Sequence, residues 1–183
     1  MKRDKIKEQK IKPNINFRGM AFLFKIRDKF HPPIKKVQKA GIKVGDFILD
    51  YGCGPGGYTI AAAEIVGVSG KVYAADIHPL AIKKVQIKAN KKKLKNVETI
   101  LTKCKTNLED NSIDVILCFD VLHGINDKDC ILKEFYRVLK LRCIFSFDDH
   151  HMKENEIIET ITSTGLFKLI EKNEKQYNFT KIE

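Results

Sequence analysis

Residues 44–59 read VGDFILDYGCGPGGYT. The apolar run Phe47–Tyr51 ends in a turn carrying Gly52, Gly54, Gly56 and Gly57, and Thr59–Val66 then has the composition of a helix. A strand, a glycine turn and a helix in that order let a ligand approach the backbone closely, because glycine accepts dihedrals that other residues resist. Where such a turn cradles a pyrophosphate, the strand end carries no acid. Here Asp50 stands at that position. A carboxylate repels a phosphate and suits a ligand with a cationic amine.

Outward from this segment the chain alternates between strand and helix patterns. Val72–Asp76 reads as a second strand, and Pro79 fits the first turn of a helix running to about Lys92. Val97–Leu101 and Ile113–Phe119 read as strands, the latter apolar enough to be buried on both faces. Asp127–Lys140 places Ile131, Leu132, Phe135, Val138 and Leu139 on one side of a helix. Cys143–Phe147 follows as a strand, Glu154–Ser163 as a helix stopped by Gly165, and Leu166–Lys172 with Gln176–Thr180 as a hairpin. Such alternation predicts an α/β fold, with a mostly parallel sheet, right-handed crossovers and helices on both faces. Ligands then bind beyond the carboxyl ends of the strands. Asp76 ends the second strand, where a carboxylate accepts hydrogen bonds from ribose hydroxyls.

The segment before the first strand differs in character. Residues 1–40 hold 13 Lys and Arg against three acids, whereas the rest of the chain is nearly balanced. Residues 1–16 read as a mobile basic arm, Arg18–Phe30 as a helix ended by Pro32 and Pro33, and Ile34–Ala40 as a short helix closed by Gly41. The domain plan is therefore a basic arm and helical cap over 1–40 and one ligand-binding domain over 41–183. A second basic stretch, Lys83–Lys95, has seven lysines and no acid. Both stretches can attract nucleic acid or an anionic membrane. No aromatic stacking pattern accompanies them, so nucleic acid is not favoured as a partner. No apolar run approaches the roughly 20 residues of a membrane span, and no apolar stretch follows the basic start as in a signal peptide, so a cytoplasmic protein is expected. The five cysteines are odd in number and none are in C-x-x-C spacing, which argues against a disulfide framework and against structural zinc.

The segments LDYGCGPGGYT, VYAADIHPLAI, EDNSIDVILCFDVLH and LKEFYRVLK together resemble the class I S-adenosylmethionine-dependent methyltransferases, in particular the small group similar to the ubiquinone/menaquinone C-methyltransferases. The resemblance spans residues 44–147. It implies a Rossmann-like fold with a seven-stranded sheet whose C-terminal hairpin is antiparallel, and S-adenosylmethionine as cofactor. It implies that Asp50, Gly52 and Gly54 meet the methionine part, with Tyr51, Cys53 and Gly56 completing the turn. Asp76 then binds the ribose, Ile77 lies against the adenine, and Phe119 lies beside the methyl group. Relatives often carry an acid after the third strand; this sequence has none there, which leaves the adenine contact to Lys103 and Cys104. Relatives also have Pro-Gly-Gly before the fifth strand, where this chain has KLRC.

Methyl transfer needs positioning and, for many acceptors, a base. His123 follows the fourth strand, and FDDHHM follows the fifth. His123 is one candidate base, and His150 or His151, with Asp149 as its orienting carboxylate, is the other. Adjacent histidines point in different directions, so no metal is expected at His123, His150 and His151. Phe17, Phe24 or Phe30 of the N-terminal helix are candidates for an apolar pocket wall. The expected function is methyl transfer to a small-molecule acceptor. The alternatives are an RNA methyltransferase, against which no Asn-Pro-Pro-Tyr-type motif follows the fourth strand, and a non-catalytic protein that binds S-adenosylmethionine.

Overall fold

The computed structural model describes residues 13–183. Its elements run α1 (Asn14–Phe30), α2 (Pro33–Lys39), β1 (Phe47–Tyr51), α3 (Gly57–Val66), β2 (Lys71–Asp76), α4 (Pro79–Lys91), β3 (Val97–Leu101), β4 (Ile113–Phe119), α5 (Lys128–Val138), β5 (Leu139–Asp148), α6 (Glu154–Thr162), β6 (Phe167–Asn173) and β7 (Gln176–Lys181). A short 3-10 turn, Leu122–Gly124, follows β4. The sheet order is β3-β2-β1-β4-β5-β7-β6. Strands β1 to β5 are parallel, and β7 is antiparallel to both its neighbours. The expected seven-stranded sheet with an antiparallel hairpin is therefore what the chain forms.

Alternation along the central strands divides the core between the two sheet faces. Leu49, Ile116 and Cys118 point to the face covered by α5 and α6, among Phe135, Ile157 and Ile161. Ile48, Val115, Leu117 and Phe119 point to the other face, among Val37 of α2 and Ala62 and Val66 of α3. Phe145, Phe147, Phe167 and Phe179 are fully buried on the first face. Each buried ring contributes roughly 1.5–3 kcal/mol, so this cluster anchors the hairpin to the sheet.

The order of strands puts a switch point between β1 and β4, whose Asp50 and Leu117 are register partners. One crossover leaves to β2 on one side and the later chain builds outward on the other, so a crevice opens at the carboxyl ends there. The N-terminal helices lean over this crevice. Phe17 and Ala21 of α1 pack with Cys53, Ala74 and Val85, and Val37 of α2 packs against α3. Lys36 of α2 pairs with Asp148 at the end of β5 at 2.7 Å.

Three expectations are corrected. Helix α1 begins at Asn14 rather than Arg18, so the last residues of the expected arm are helical, while residues 1–12 lie outside the described residues. Strand β5 begins at Leu139 instead of Cys143, because Leu139 pairs with Ile113 of β4 and ends α5 early. Cys104 and Cys130 form a disulfide between the loop after β3 and the start of α5. Cys53, Cys118 and Cys143 remain free thiols. No described helix is long and apolar enough to cross a membrane.

Candidate active site

A cavity of about 200 Å³ lies at the carboxyl ends of β1, β2 and β4. The glycine turn forms its floor. Gly52 has φ +75°, and a Cβ on it would sit 2.3 Å from Cγ2 of Val121, so only glycine lets β1 exit beneath the loop after β4. The Gly52 and Cys53 N–H groups donate to the Ala75 carbonyl at 2.8 and 3.0 Å, which ties the turn to β2. Gly54 differs: a Cβ there would meet no heavy atom closer than 3.9 Å and would stand in the cavity.

Asp76 forms the next wall. Its carboxylate accepts the Gly54 N–H at 2.9 Å on one oxygen and the His78 N–H at 2.8 Å on the other. Burial pushes this carboxyl above the usual carboxylate range, against the two N–H donors that favour its charge. Each oxygen keeps acceptor capacity for a ligand hydroxyl. His78 stacks on Phe17 at 4.4 Å and its Nδ1 accepts the Leu80 N–H, so it starts α4 and lines the cavity at once. Beyond it, the Tyr51 hydroxyl donates to the Lys103 carbonyl at 3.0 Å, fixing the loop after β3 against the turn.

The opposite wall comes from β4 and β5. The β4–β5 register pairs Phe119 with Asp148, so the residues after each strand meet. His123 Nδ1 lies 2.9 Å from the Asp149 carboxylate. Asp149 is 2% exposed and also accepts the backbone N–H of His123 and of His151, each at 3.1 Å. A carboxylate so held fixes the proton on Nδ1 of His123 and leaves Nε2 as the acceptor. Beside this pair, Asp120 accepts both the backbone N–H and Nδ1–H of His150. Burial raises the Asp120 carboxyl, but the His150 hydrogen bonds and the charge of Lys36 overcome it and hold it below the usual range. The rings of His123, His151 and His150 lie in a row, tilted to one another with centroids 4.2 and 4.0 Å apart.

The residues expected from sequence divide accordingly. Tyr51, Gly52, Cys53, Gly54, Asp76, Ile77, Lys103, Phe119 and His123 all line the cavity. Asp50, Gly56, Cys104 and His150 do not. Asp50 is 3% exposed behind the turn, where its carboxyl takes the Thr59 hydroxyl. Gly56 (φ +80°) serves packing, since a Cβ there would lie 2.8 Å from Val85 of α4. Cys104 is held in the disulfide. His150 lines a second cleft, between the α1–α2 elbow and the β6–β7 turn. Phe17 and Phe24 are cavity walls as expected, whereas Phe30 is 72% exposed and borders that second cleft.

Among the wall residues that sequence reasoning misses are Met20, Arg27 and Tyr58. Arg27 lies over the rings of Phe24 and Tyr58 at 4.4 and 5.3 Å and pairs with Asp28. The signal was present: Met20, Phe24 and Arg27 follow Phe17 at spacings of three and four, one face of α1. Asp149 had been read as a partner of the neighbouring histidines. The fold gives it to His123 instead.

A family profile described as a methyltransferase domain matches residues 42–182. The chain is 38% identical over 112 residues to a demethylmenaquinone methyltransferase of Lactobacillus johnsonii, covering 58% of this chain and 44% of that protein. It is 32% identical over 106 residues to a ubiquinone/menaquinone biosynthesis C-methyltransferase of Hydrogenovibrio crunogenus, covering 57% and 42%. The chain thus spans less than half the length of these relatives. The crystal structure of a SAM-dependent methyltransferase from Aquifex aeolicus superposes with a TM-score of 0.75 at 25% identity, over 82% of this chain and 90% of that one. With the glycine turn, the strand-end Asp76 and the matched fold in place, the chain belongs to the class I S-adenosylmethionine-dependent methyltransferase family and is similar to the ubiquinone/menaquinone C-methyltransferases.

Proposed function

We propose that this chain methylates a small, ring-bearing acceptor that carries an ionisable hydroxyl, with His123 as the base. The observation that carries this reading is that Asp76 and His123, whose Nδ1 is held by the buried Asp149, line one cavity.

The donor half of the cavity suits the cofactor. Gly54 leaves open the space that any side chain would fill, and Asp76 offers two acceptor oxygens to a diol. Ile77 supplies an apolar surface for a purine. Asp50 stands behind the turn as a buried carboxyl that a nearby cation would ionise, so its support for a cationic ligand is electrostatic, without direct contact. When bound, S-adenosylmethionine supplies an electrophilic methyl group.

The acceptor half is aromatic. Phe24, Tyr58 and Phe119 line it, and Tyr58 meets Phe119 edge-on at 5.0 Å. Such walls exclude water and hold a flat ring. His123 Nε2 then takes the hydroxyl proton, and Asp149 stabilises the resulting imidazolium. A deprotonated hydroxyl makes both its own oxygen and the ring carbons beside it nucleophilic. The relatives are a demethylmenaquinone methyltransferase and a C-methyltransferase of ubiquinone and menaquinone biosynthesis, which agrees with that chemistry. We further read α1 and α2 as a cap over a domain formed by residues 41–183, since α1 contributes Phe17, Met20, Phe24 and Arg27 to the cavity wall.

Calorimetric titration with S-adenosylmethionine and S-adenosylhomocysteine tests the cofactor half. Asp76→Ala removes two charge-assisted hydrogen bonds and the ligand's own acceptor, so affinity falls about 100-fold or more. Equal affinity in the variant refutes the assignment of Asp76. A panel of hydroquinones and phenols, followed by mass spectrometry, then tests the acceptor half. Tight cofactor binding with no methylated product in the panel would move the chain to the non-catalytic reading.

A further inference from the structure

Helix α1 is apolar on two sides. Its inner side, Phe17, Met20, Ala21 and Phe24, packs on the body or lines the cavity. Its outer side carries Ile15, Phe22, Leu23, Ile26 and Phe30, which are 78, 63, 64, 44 and 72% exposed. At 3.6 residues per turn these five fall within an arc of about 100°. Scattered exposed apolar residues need no explanation, but a continuous stripe along one helix does.

The border of the stripe identifies its occupant. Arg18, Lys25 and Lys29 are spaced to run along one edge, and all three are exposed. Within Asn14–Phe30 the single acid is Asp28, which lies on the inner side and pairs with Arg27. The exposed Lys35 continues the positive charge into α2, where Lys36 and Lys39 are paired with Asp148 and Glu174. An apolar face edged by cations and free of acids complements a surface with anionic headgroups above hydrocarbon. A protein partner matching the stripe alone would not call for the one-sided cationic edge.

We propose that the outer face of α1 docks on an anionic lipid bilayer, lying in its interface with Phe22, Leu23, Ile26 and Phe30 inserted and Arg18, Lys25 and Lys29 at the headgroups. The helix would then join the membrane to the cavity directly, because its inner side is the cavity wall. An amphiphilic acceptor could pass from the bilayer along the helix into the site. Membrane docking itself does not depend on which reaction the chain performs.

Co-sedimentation of the full chain with vesicles tests the proposal. The chain should bind vesicles of equimolar phosphatidylcholine and phosphatidylglycerol and bind phosphatidylcholine vesicles weakly. Replacing Phe22 and Leu23 together with Ser should lower the partition coefficient about tenfold or more. Lys25→Gln with Lys29→Gln should lower it several-fold and flatten its salt dependence. Both pairs lie on the exposed side, so thermal unfolding and S-adenosylhomocysteine affinity should match wild type and certify the fold. Failure of the wild type to bind anionic vesicles, or equal binding by the Ser variant, overturns the proposal. So does a stable dimer in sedimentation velocity that the Ser variant dissolves in the absence of vesicle binding, which would give the stripe to a second copy.

Discussion

The two walls of the cavity are built in different ways. On the β1–β2 side the backbone does the work. Gly52 and Gly54 shape the floor, and Asp76 is fixed by main-chain N–H donors. On the β4–β5 side, side chains pair with side chains or loops across strands: His123 with Asp149 and His150 with Asp120. The first wall recognises a ligand by its fit to a fixed surface. The second holds protons and charges whose positions depend on how β4 and β5 are registered. Under the proposed function, the first half suits the cofactor and the second the acceptor.

The largest effect separates the two His–Asp pairs that follow β4 and β5, one facing the cavity through His123 and the other turned to the second cleft through His150. His123→Ala should reduce kcat by about 10²–10⁴-fold, the span for loss of a general base, while S-adenosylhomocysteine binds as before. Asp149→Asn should reduce kcat as well, because Nδ1 loses the carboxylate that fixes its tautomer. His150 is outside the cavity, so His150→Ala should leave kcat within about two- to threefold of wild type, a change too small for a lost base. Steady-state rates with any accepted phenol or hydroquinone decide this. Equal losses at His123 and His150 would merge the two pairs into one catalytic unit.

A smaller effect separates two glycines of the first wall. Gly52→Ala forces a methyl group to within 2.3 Å of Val121 at φ +75°. Overpacking of this kind costs about 1–3 kcal/mol, read as a lower Tm. Gly54→Ala meets open space, so beyond the roughly 1 kcal/mol that its φ of +50° costs any side chain, its distinguishing effect should be on cofactor affinity, by about tenfold as its methyl group displaces the ligand. If Gly54→Ala binds as wild type, the cavity floor is not where the cofactor lies.

These differences also explain what was legible in the sequence. The glycine turn and the strand-end Asp76 require particular residue types at fixed places in one strand–turn–helix unit, so reading 44–76 found them. The pairing of His123 with Asp149 rests on the β4–β5 register, which the sequence of either strand does not specify. The direction of the Asp50 side chain was illegible for a related reason. Its position at the end of β1 was correct, but the side chain points behind the turn, among the buried atoms near Thr59. Strand and helix periods gave the order of elements, yet Leu139–Lys140 suits either period, and pairing with Ile113 decided for strand. The Cys104–Cys130 disulfide joins positions 26 apart that no spacing rule connects.

The smallest effect concerns acid–base balance and should have opposite signs on the two walls. Burial pushes the Asp50 carboxyl up to about 7, despite the Thr59 hydroxyl that favours ionisation. From about pH 4, the ordinary Asp value, up to about 7, the folded chain therefore holds a proton that the unfolded chain has lost. Stability falls as pH rises through that window. Asp50→Asn removes the slope, so the variant should gain on wild type between those limits, by a few degrees in Tm, on the order of 1 kcal/mol. Asp120 is held below the usual range by His150 and Lys36. Its contribution is present at neutral pH and lost as the pH falls through the carboxylate range. Asp120→Asn should therefore lose stability relative to wild type at neutral pH and converge with it in acid. Thermal unfolding of the three proteins across this pH span reads both slopes. Parallel curves for wild type and Asp50→Asn would show that Asp50 is ionised in the folded chain. The turn would then present a full negative charge to the cofactor, and the two walls would no longer differ in sign.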